Sequence, residues 1–288
     1  MAQNPILAII SGDGITLPDA LTDIEEHQVN TPFGLPSAPI IVGSLNGLRV
    51  AFLSRHGFGN TLSSTQINYR ANIYALRSLG IERIVAVSAC GSLREDYVPG
   101  DLILPDQLVD HTTQRNNSFF DECLTAQISP ADPFCPAFTD QVEAGIRSSG
   151  SRYHRGGVMI TVEGPRFSTR AESNLFRSWG LALIGMTTAP EAFLALEAEM
   201  CYSVIAHVTD YDAWHTDQPA TNVKNIRQST AKSNASIQNA ILELTTHYDP
   251  ERNCSCRSAL KDGLNTSMQQ VSDEMKEKYS LLLGKYYK

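Results

Sequence analysis

No stretch of roughly 18 consecutive apolar residues occurs in this 288-residue chain, so no segment is a candidate bilayer span. A basic surplus is missing too: 23 Lys and Arg stand against 31 Asp and Glu, a formal net charge of -8. Nucleic acids and anionic membrane surfaces want a basic face, so neither is expected as a partner. The amino terminus, Met1-Ala2-Gln3-Asn4-Pro5, has no basic segment leading into an apolar core, and a cytoplasmic protein is expected. No Pro/Gly/Ser-rich linker, internal repeat or low-complexity tract divides the chain. With 42% hydrophobic residues it can bury the core of one large α/β domain. Gly12-Asp13-Gly14 lacks the third glycine of a dinucleotide-binding turn, which disfavours a dehydrogenase.

The cysteines are scattered, at Cys90, Cys123, Cys135, Cys201, Cys254 and Cys256. Cys90 and Cys201 lie in or beside apolar runs and read as packing residues. Cys254-Ser255-Cys256 has the form of half a metal site, but a second half with ligand spacing is missing. A reduced, incidental pair is expected, in keeping with a cytoplasmic setting. No metal ligand is assigned.

What is present is a set of apolar runs, each ending in polar or glycine residues. Tyr202-Ser203-Val204-Ile205-Ala206-His207-Val208 reads as a buried strand and ends in Thr209-Asp210-Tyr211-Asp212. Carboxylates at that end sit on the rim where α/β sheets keep their ligand crevice. Four other strand-like runs deliver Ser54-Arg55-His56-Gly57, Gly91-Ser92-Leu93-Arg94, Thr161 to Phe167, and Met186-Thr187-Thr188 to the same kind of position. Asn46-Gly47 between two apolar runs predicts a tight hairpin. Helical spacing over residues 67–79 ends at Gly80, a C-terminal cap. From Asp262 on, Leu264, Met268, Val271, Met275, Tyr279 and Leu282 form an apolar stripe at helical spacing. The fold class expected is a single α/β domain, with a mixed central β-sheet flanked by helices.

Thr31-Pro32-Phe33-Gly34, Asn68-Tyr69-Arg70-Ala71-Asn72, Glu163-Gly164-Pro165-Arg166-Phe167 and Thr209-Asp210-Tyr211-Asp212 occur in that order. With them the chain, from about Ile6 to Thr246, resembles the trimeric purine nucleoside phosphorylase family, and within it the 5'-methylthioadenosine phosphorylase branch. The resemblance implies a nucleoside phosphorylase-like domain over 1–250 and a C-terminal helical tail over 251–288, packed at a subunit interface of a homotrimer. It implies an adenine-specific N-glycosyl transferase that makes or breaks the adenine–sugar bond. Asp210 would then donate to the purine at N7, with Asp212 fixing that acid and binding the 6-amino group; both are the expected catalytic residues. Phe167 would stack on the base and Met186 pack under the sugar.

The family's anion site is matched by Arg55, His56, Ser88 and Thr187, with phosphate or pyrophosphate as co-substrate or product. Its first-turn Ser/Thr is Asp13 here. A carboxylate facing an anion costs roughly 4 kcal/mol at 4 Å and an effective dielectric of about 20. A protonated Asp13 or a bridging divalent cation would relieve this. The run Arg55 to Ser64 also replaces the family's second histidine by Asn60 and its proline by Ser64. The 5' pocket falls on Val223, Ile226 and Arg227, and Arg227 replaces an apolar residue. A guanidinium suits a phosphate or carboxylate better than a thioether. Gln127 stands where the family brings a histidine from the adjacent subunit, and Lys276, Lys278, Lys285 and Lys288 crowd the tail. Three alternatives stay open: a transferase acting on a 5'-phosphorylated or pyrophosphorylated sugar, a hydrolase with Asp13 or His56 orienting water, and an inactive adenine-nucleoside sensor.

Overall fold

In a computed structural model, which describes residues 6–12, 15, 18–122, 124–217 and 221–286, the chain forms one mixed sheet covered by helices on both faces. The strands are β1 (Leu7–Ser11), β2 (Thr22–His27), β3 (Ile40–Leu45), β4 (Leu48–Ser54), β5 (Arg83–Ser92), β6 (Leu102–Leu104) and β7 (Gln107–His111). They continue as β8 (Tyr153–Arg155), β9 (Val158–Val162), β10 (Leu183–Gly185) and β11 (Cys201–Asp210). The helices are α1 (Tyr69–Ser78), α2 (Pro136–Ser148), α3 (Arg170–Ser178), α4 (Thr188–Glu197), α5 (Val223–Thr246), α6 (Asp273–Lys278) and α7 (Ser280–Leu283). The main path runs β2-β3-β4-β1-β5-β10-β9-β7, while β11 pairs with both β5 and β6, and β6 with β8.

At the centre β1, β4, β5 and β11 lie parallel. Parallel strands are covered on both faces, and β11 is buried from Cys201 to Thr209. Alternation then sorts the side chains. Ala8, Ile10, Ile84 and Val204 join one apolar cluster with α1 and α4. Leu7, Ile9, Val85 and Ile205 join the other, with Phe138 and Ile146 of α2 and Ile237 and Ile241 of α5.

The local expectations hold where chain chemistry is strong. Asn46 and Gly47 both have positive φ, 50° and 79°, and close the β3–β4 hairpin. Gly80, at φ 87°, ends α1 in the left-handed region. The C-terminal stripe is a correction. Instead of one helix, residues 268–286 make a short 3-10 turn, α6, α7 and another 3-10 turn. Ser272 accepts a hydrogen bond from the Met275 N–H at 3.3 Å and starts a fresh helix, which interrupts the period. Val271, Tyr279, Leu282 and Leu283 are buried in the chain's own core, with Leu264 and Met275 packed against it. Truncation at Asp262 therefore removes core, and folding suffers with it. Lys278 pairs with Glu122, Lys276 with Asp273 and Lys285 with Glu199, and Lys288 lies outside the described residues. Gln127 is exposed and holds this tail, its N–H donating to Gly263 O at 2.8 Å. Among the described residues, no helix is long and apolar enough to cross a membrane.

Candidate active site

The carboxyl ends of β1, β4, β5, β9, β10 and β11 open on one cavity of about 510 Å³, within the range of small-molecule sites. The described candidates for the base, anion and 5' sites line it, namely Asp210, Asp212, Phe167 and Met186; Arg55, His56, Ser88 and Thr187; Val223, Ile226 and Arg227, whereas Gln127, Lys276, Lys278 and Lys285 do not. Asp13 lies outside the described residues. Its neighbour Gly12 lines the same cavity.

Asp210 owes its aim to a slip in pairing. β11 matches β5 in register up to Val208 opposite Cys90, and Asp210 then pairs with Gly91. Such a bulge re-aims the residue at a strand end. Both oxygens of Asp210 accept hydrogen bonds. Asp212 N–H and Thr221 Oγ1 reach Oδ1 at 2.8 Å each, and Thr209 Oγ1 reaches Oδ2 at 2.8 Å. Asp212 sits in the left-handed region at φ 51° and is buried. Burial pushes its carboxyl above the usual range and the Asp210 charge adds to this, while the hydroxyls of Ser173 and Ser168 pull the other way. Asp212 Oδ2 is buried with no hydrogen-bond partner, so the site waits with one unsatisfied polar oxygen. Gly91 makes room for the pair: a Cβ there would meet Asp212 Cβ and Ile184 Cγ2 at 3.1 Å.

Across the cavity, Arg55 is buried and held by Glu191, Nε to Oε2 at 2.7 Å and Nη2 to Oε1 at 2.9 Å. Val87 O takes a hydrogen bond from Nη1 at 3.0 Å and Ile10 O one from Nη2 at 3.4 Å. One of the five guanidinium hydrogens is left, on Nη1, which faces the Gly12 turn at 3.9 Å from its virtual Cβ. Burial alone would lower the Arg55 pKa, but the Glu191 carboxylate outweighs it and pushes it up. His56 Nδ1 lies 2.8 Å from Leu62 O; a carbonyl only accepts, so Nδ1 carries the proton. Ser88 and Thr187 place their hydroxyls 3.4 Å apart. Another wall is the start of α5, where Val223, Ile226, Arg227 and Thr230 share one helix face at spacings of three and four.

Three features escaped the sequence. Glu191, fully buried, is the counter-charge of Arg55 and also accepts from Tyr202 Oη at 2.8 Å. Arg115 ties the two loops that carry Phe167 and Met186: it donates to Met186 O and Ala189 O at 2.7 Å, to Glu163 O at 2.9 Å, and pairs with Glu163 Oε1 at 3.1 Å. Burial opposes the charge on Glu163, but the N–H groups of Thr113 and Gln114, the Thr65 hydroxyl and Arg115 together hold it down at about 2. Ser64, at the expected proline, donates to Glu163 O at 3.0 Å. His207, hidden in an apolar run, lines the cavity with Nδ1 unpartnered.

Burial pushes His207 down to about 4. An unfolded histidine takes its proton near 6.5, so between about 6.5 and 4 only the unfolded chain gains it. Stability should fall across that window as pH drops, by up to about 3 kcal/mol from this residue. Glu197, raised to about 7 by burial, acts in the opposite direction in wild type and variant alike. His207→Leu should raise the urea midpoint at pH 4.5 relative to pH 7, compared with wild type. Equal pH slopes for the two proteins would contradict a buried, neutral His207.

One cavity thus holds a carboxylate pair, Asp210 and Asp212, together with Arg55, His56, Ser88 and Thr187. Residues 6–244 match the family described as the phosphorylase superfamily, and the chain belongs to it. The S-methyl-5'-thioadenosine phosphorylase of Geobacter sulfurreducens is 45% identical over 286 residues, covering 98% of this chain and 99% of that protein. That of Hyperthermus butylicus is 47% identical over 262 residues, covering 90% and 95%. A methylthioadenosine phosphorylase from an antarctic soil metagenomic library superposes with a TM-score of 0.92 at 39% identity, covering 98% of this chain and all of that one. The Schistosoma mansoni enzyme in complex with adenine gives 0.83 at 30%, covering 97% and 98%.

Proposed function

We propose that the chain cleaves 5'-methylthioadenosine by phosphorolysis, giving adenine and the 1-phosphate of the methylthio sugar. The observation that carries this is the Asp210–Asp212 pair facing Arg55, His56, Ser88 and Thr187 across one cavity. A phosphate oxygen attacks the anomeric carbon as the base leaves, and negative charge builds on the purine. Asp210 supplies the hydrogen bond and proton at N7. Asp212, with its unpartnered oxygen, accepts from the 6-amino group. Phosphate is the co-substrate of phosphorylases, and the paired Arg55 presents its remaining N–H to it. The relatives' activity toward methylthioadenosine supports the same sugar here.

Incubation with methylthioadenosine, adenosine or AMP, each with phosphate, pyrophosphate or neither, tests this by chromatography of free adenine. Adenine release from methylthioadenosine only when phosphate is present is expected. Release without any anion would make the protein a hydrolase, and no release a sensor.

Arg227 on the 5' wall favours a second reading, an anionic 5' substituent. A 5'-phosphorylated substrate should then outcompete methylthioadenosine, and Arg227→Leu should reverse the order. A charge-assisted contact is worth about 1.5–3 kcal/mol, so the swing in kcat/KM should be at least about tenfold. Efficient phosphorolysis of methylthioadenosine by wild type, with no gain for a 5'-phosphate, excludes this second reading.

Residues 251–288 serve, on this proposal, as a tail at the subunit boundary of a homotrimer built on the 1–250 domain. Val223, at the pocket mouth, is 54% exposed in the single chain, which a neighbour would cover. Sedimentation should give three times the 31.6 kDa chain mass. An active monomer would contradict it.

A further inference from the structure

Far from the cavity, the fold gathers the cysteines that the sequence keeps apart. The Cys254/Cys256 pair, which has no second half in the sequence, lies beside Cys135 and Cys201 in the fold. The sulfurs of Cys135, Cys201, Cys254 and Cys256 all lie within 4.8 Å of one another. We propose that these four thiolates form a closed structural site for a zinc ion.

The geometry fits a tetrahedron. With zinc–sulfur bonds of about 2.3 Å, tetrahedral ligands stand about 3.8 Å apart, so the sulfurs need only small rotations to close on an ion. Cys201 Sγ and Cys254 Sγ are 3.3 Å apart, and all four thiols are free. Three of the cysteines are buried and the fourth, Cys254, is half-buried. Four sulfurs without an oxygen or imidazole select a thiophilic ion, and leave no open position for catalysis. Each thiol that ligates gives its proton to solvent.

The surroundings suit the negative charge such a centre carries. The Arg252 guanidinium lies beside Cys201 and Cys254. Its Nη2 donates to Glu199 O at 2.9 Å and its Nη1 lies 3.4 Å from Glu82, while its Nε is buried without a partner. Arg83 donates to Asp249 O and Glu251 O and so holds the segment leading to Cys254.

Position gives the role. Cys135 is the N-cap of α2, Cys201 is the first residue of β11, and Cys254 and Cys256 open the tail. Asp210 lies at the other end of β11, about 30 Å away at about 3.3 Å per residue. The ion therefore pins the tail to the N-terminal end of β11, away from the cavity, rather than touching substrate.

Protein purified without chelator and then exposed to equimolar zinc should hold about one zinc per chain by elemental mass spectrometry. Cobalt in its place should show thiolate-to-cobalt charge transfer and tetrahedral d–d bands. Cys256→Ser and Cys135→Ser should each lower zinc content about tenfold. Removing zinc from wild type should speed proteolysis between residues 249 and 262. Less than a tenth of an equivalent of zinc in folded wild type overturns the proposal. So do disulfide-linked Cys135, Cys201, Cys254 or Cys256 peptides in an unreduced digest of fresh protein.

Discussion

Asp210→Asn should lower kcat for adenine nucleosides by about two to four powers of ten, the usual span for an acid–base contact. Two effects combine in that loss. An amide has no acidic proton to give to N7. It also turns one acceptor into a donor, in a setting where Asp212 N–H, Thr221 Oγ1 and Thr209 Oγ1 already point at the side chain within 2.8 Å. That hold weakens, because the Thr209 hydroxyl must turn to accept from the new NH₂ while donating to Cys90 O at 3.1 Å. At the same time an amide NH₂ tolerates a 6-oxo purine, so the ratio of kcat/KM for inosine to that for adenosine should rise. Steady-state kinetics on both nucleosides decides. Unchanged rates in a folded variant would remove Asp210 from the chemistry.

Glu191→Gln should be the most damaging change outside the base site. It leaves Arg55 charged, buried and without its carboxylate, a situation that costs about 3–5 kcal/mol when one partner of a buried pair is removed. The loss should appear as a lower urea midpoint. Arg55 also loses the contact that aims its spare N–H, so KM for phosphate should rise about tenfold or more, the worth of one charge-assisted hydrogen bond. A folded variant with wild-type stability and phosphate KM would show that Glu191 neither balances nor positions Arg55. Pairing the change with Arg55→Met separates the roles: stability should partly return while phosphate binding should not.

The chemistry at strand ends was legible because a parallel α/β sheet writes it locally. An apolar run is followed at once by residues that line the cavity, as in Ile205 to Asp210 or Val50 to His56. Turns with their own chemistry were legible for the same reason, as at Asn46-Gly47 and Gly80. The tail was misread because apolar residues at helical spacing also suit a string of short turns, and Ser272 begins a new cap inside the period.

By itself the sequence determined the mixed sheet and which strand-end residues line the cavity, Asp210 and Asp212 as well as Arg55, His56, Ser88 and Thr187, since each lies in a short pattern tied to a local conformation. Only the tertiary structure decided which buried groups meet. Glu191 finds Arg55 across 136 residues, Arg115 reaches Met186 across 71, and the Cys254/Cys256 pair meets Cys135 and Cys201. Nothing in a single segment encodes such encounters. Their energies arise from distance and the exclusion of water, and both exist only once the chain has packed.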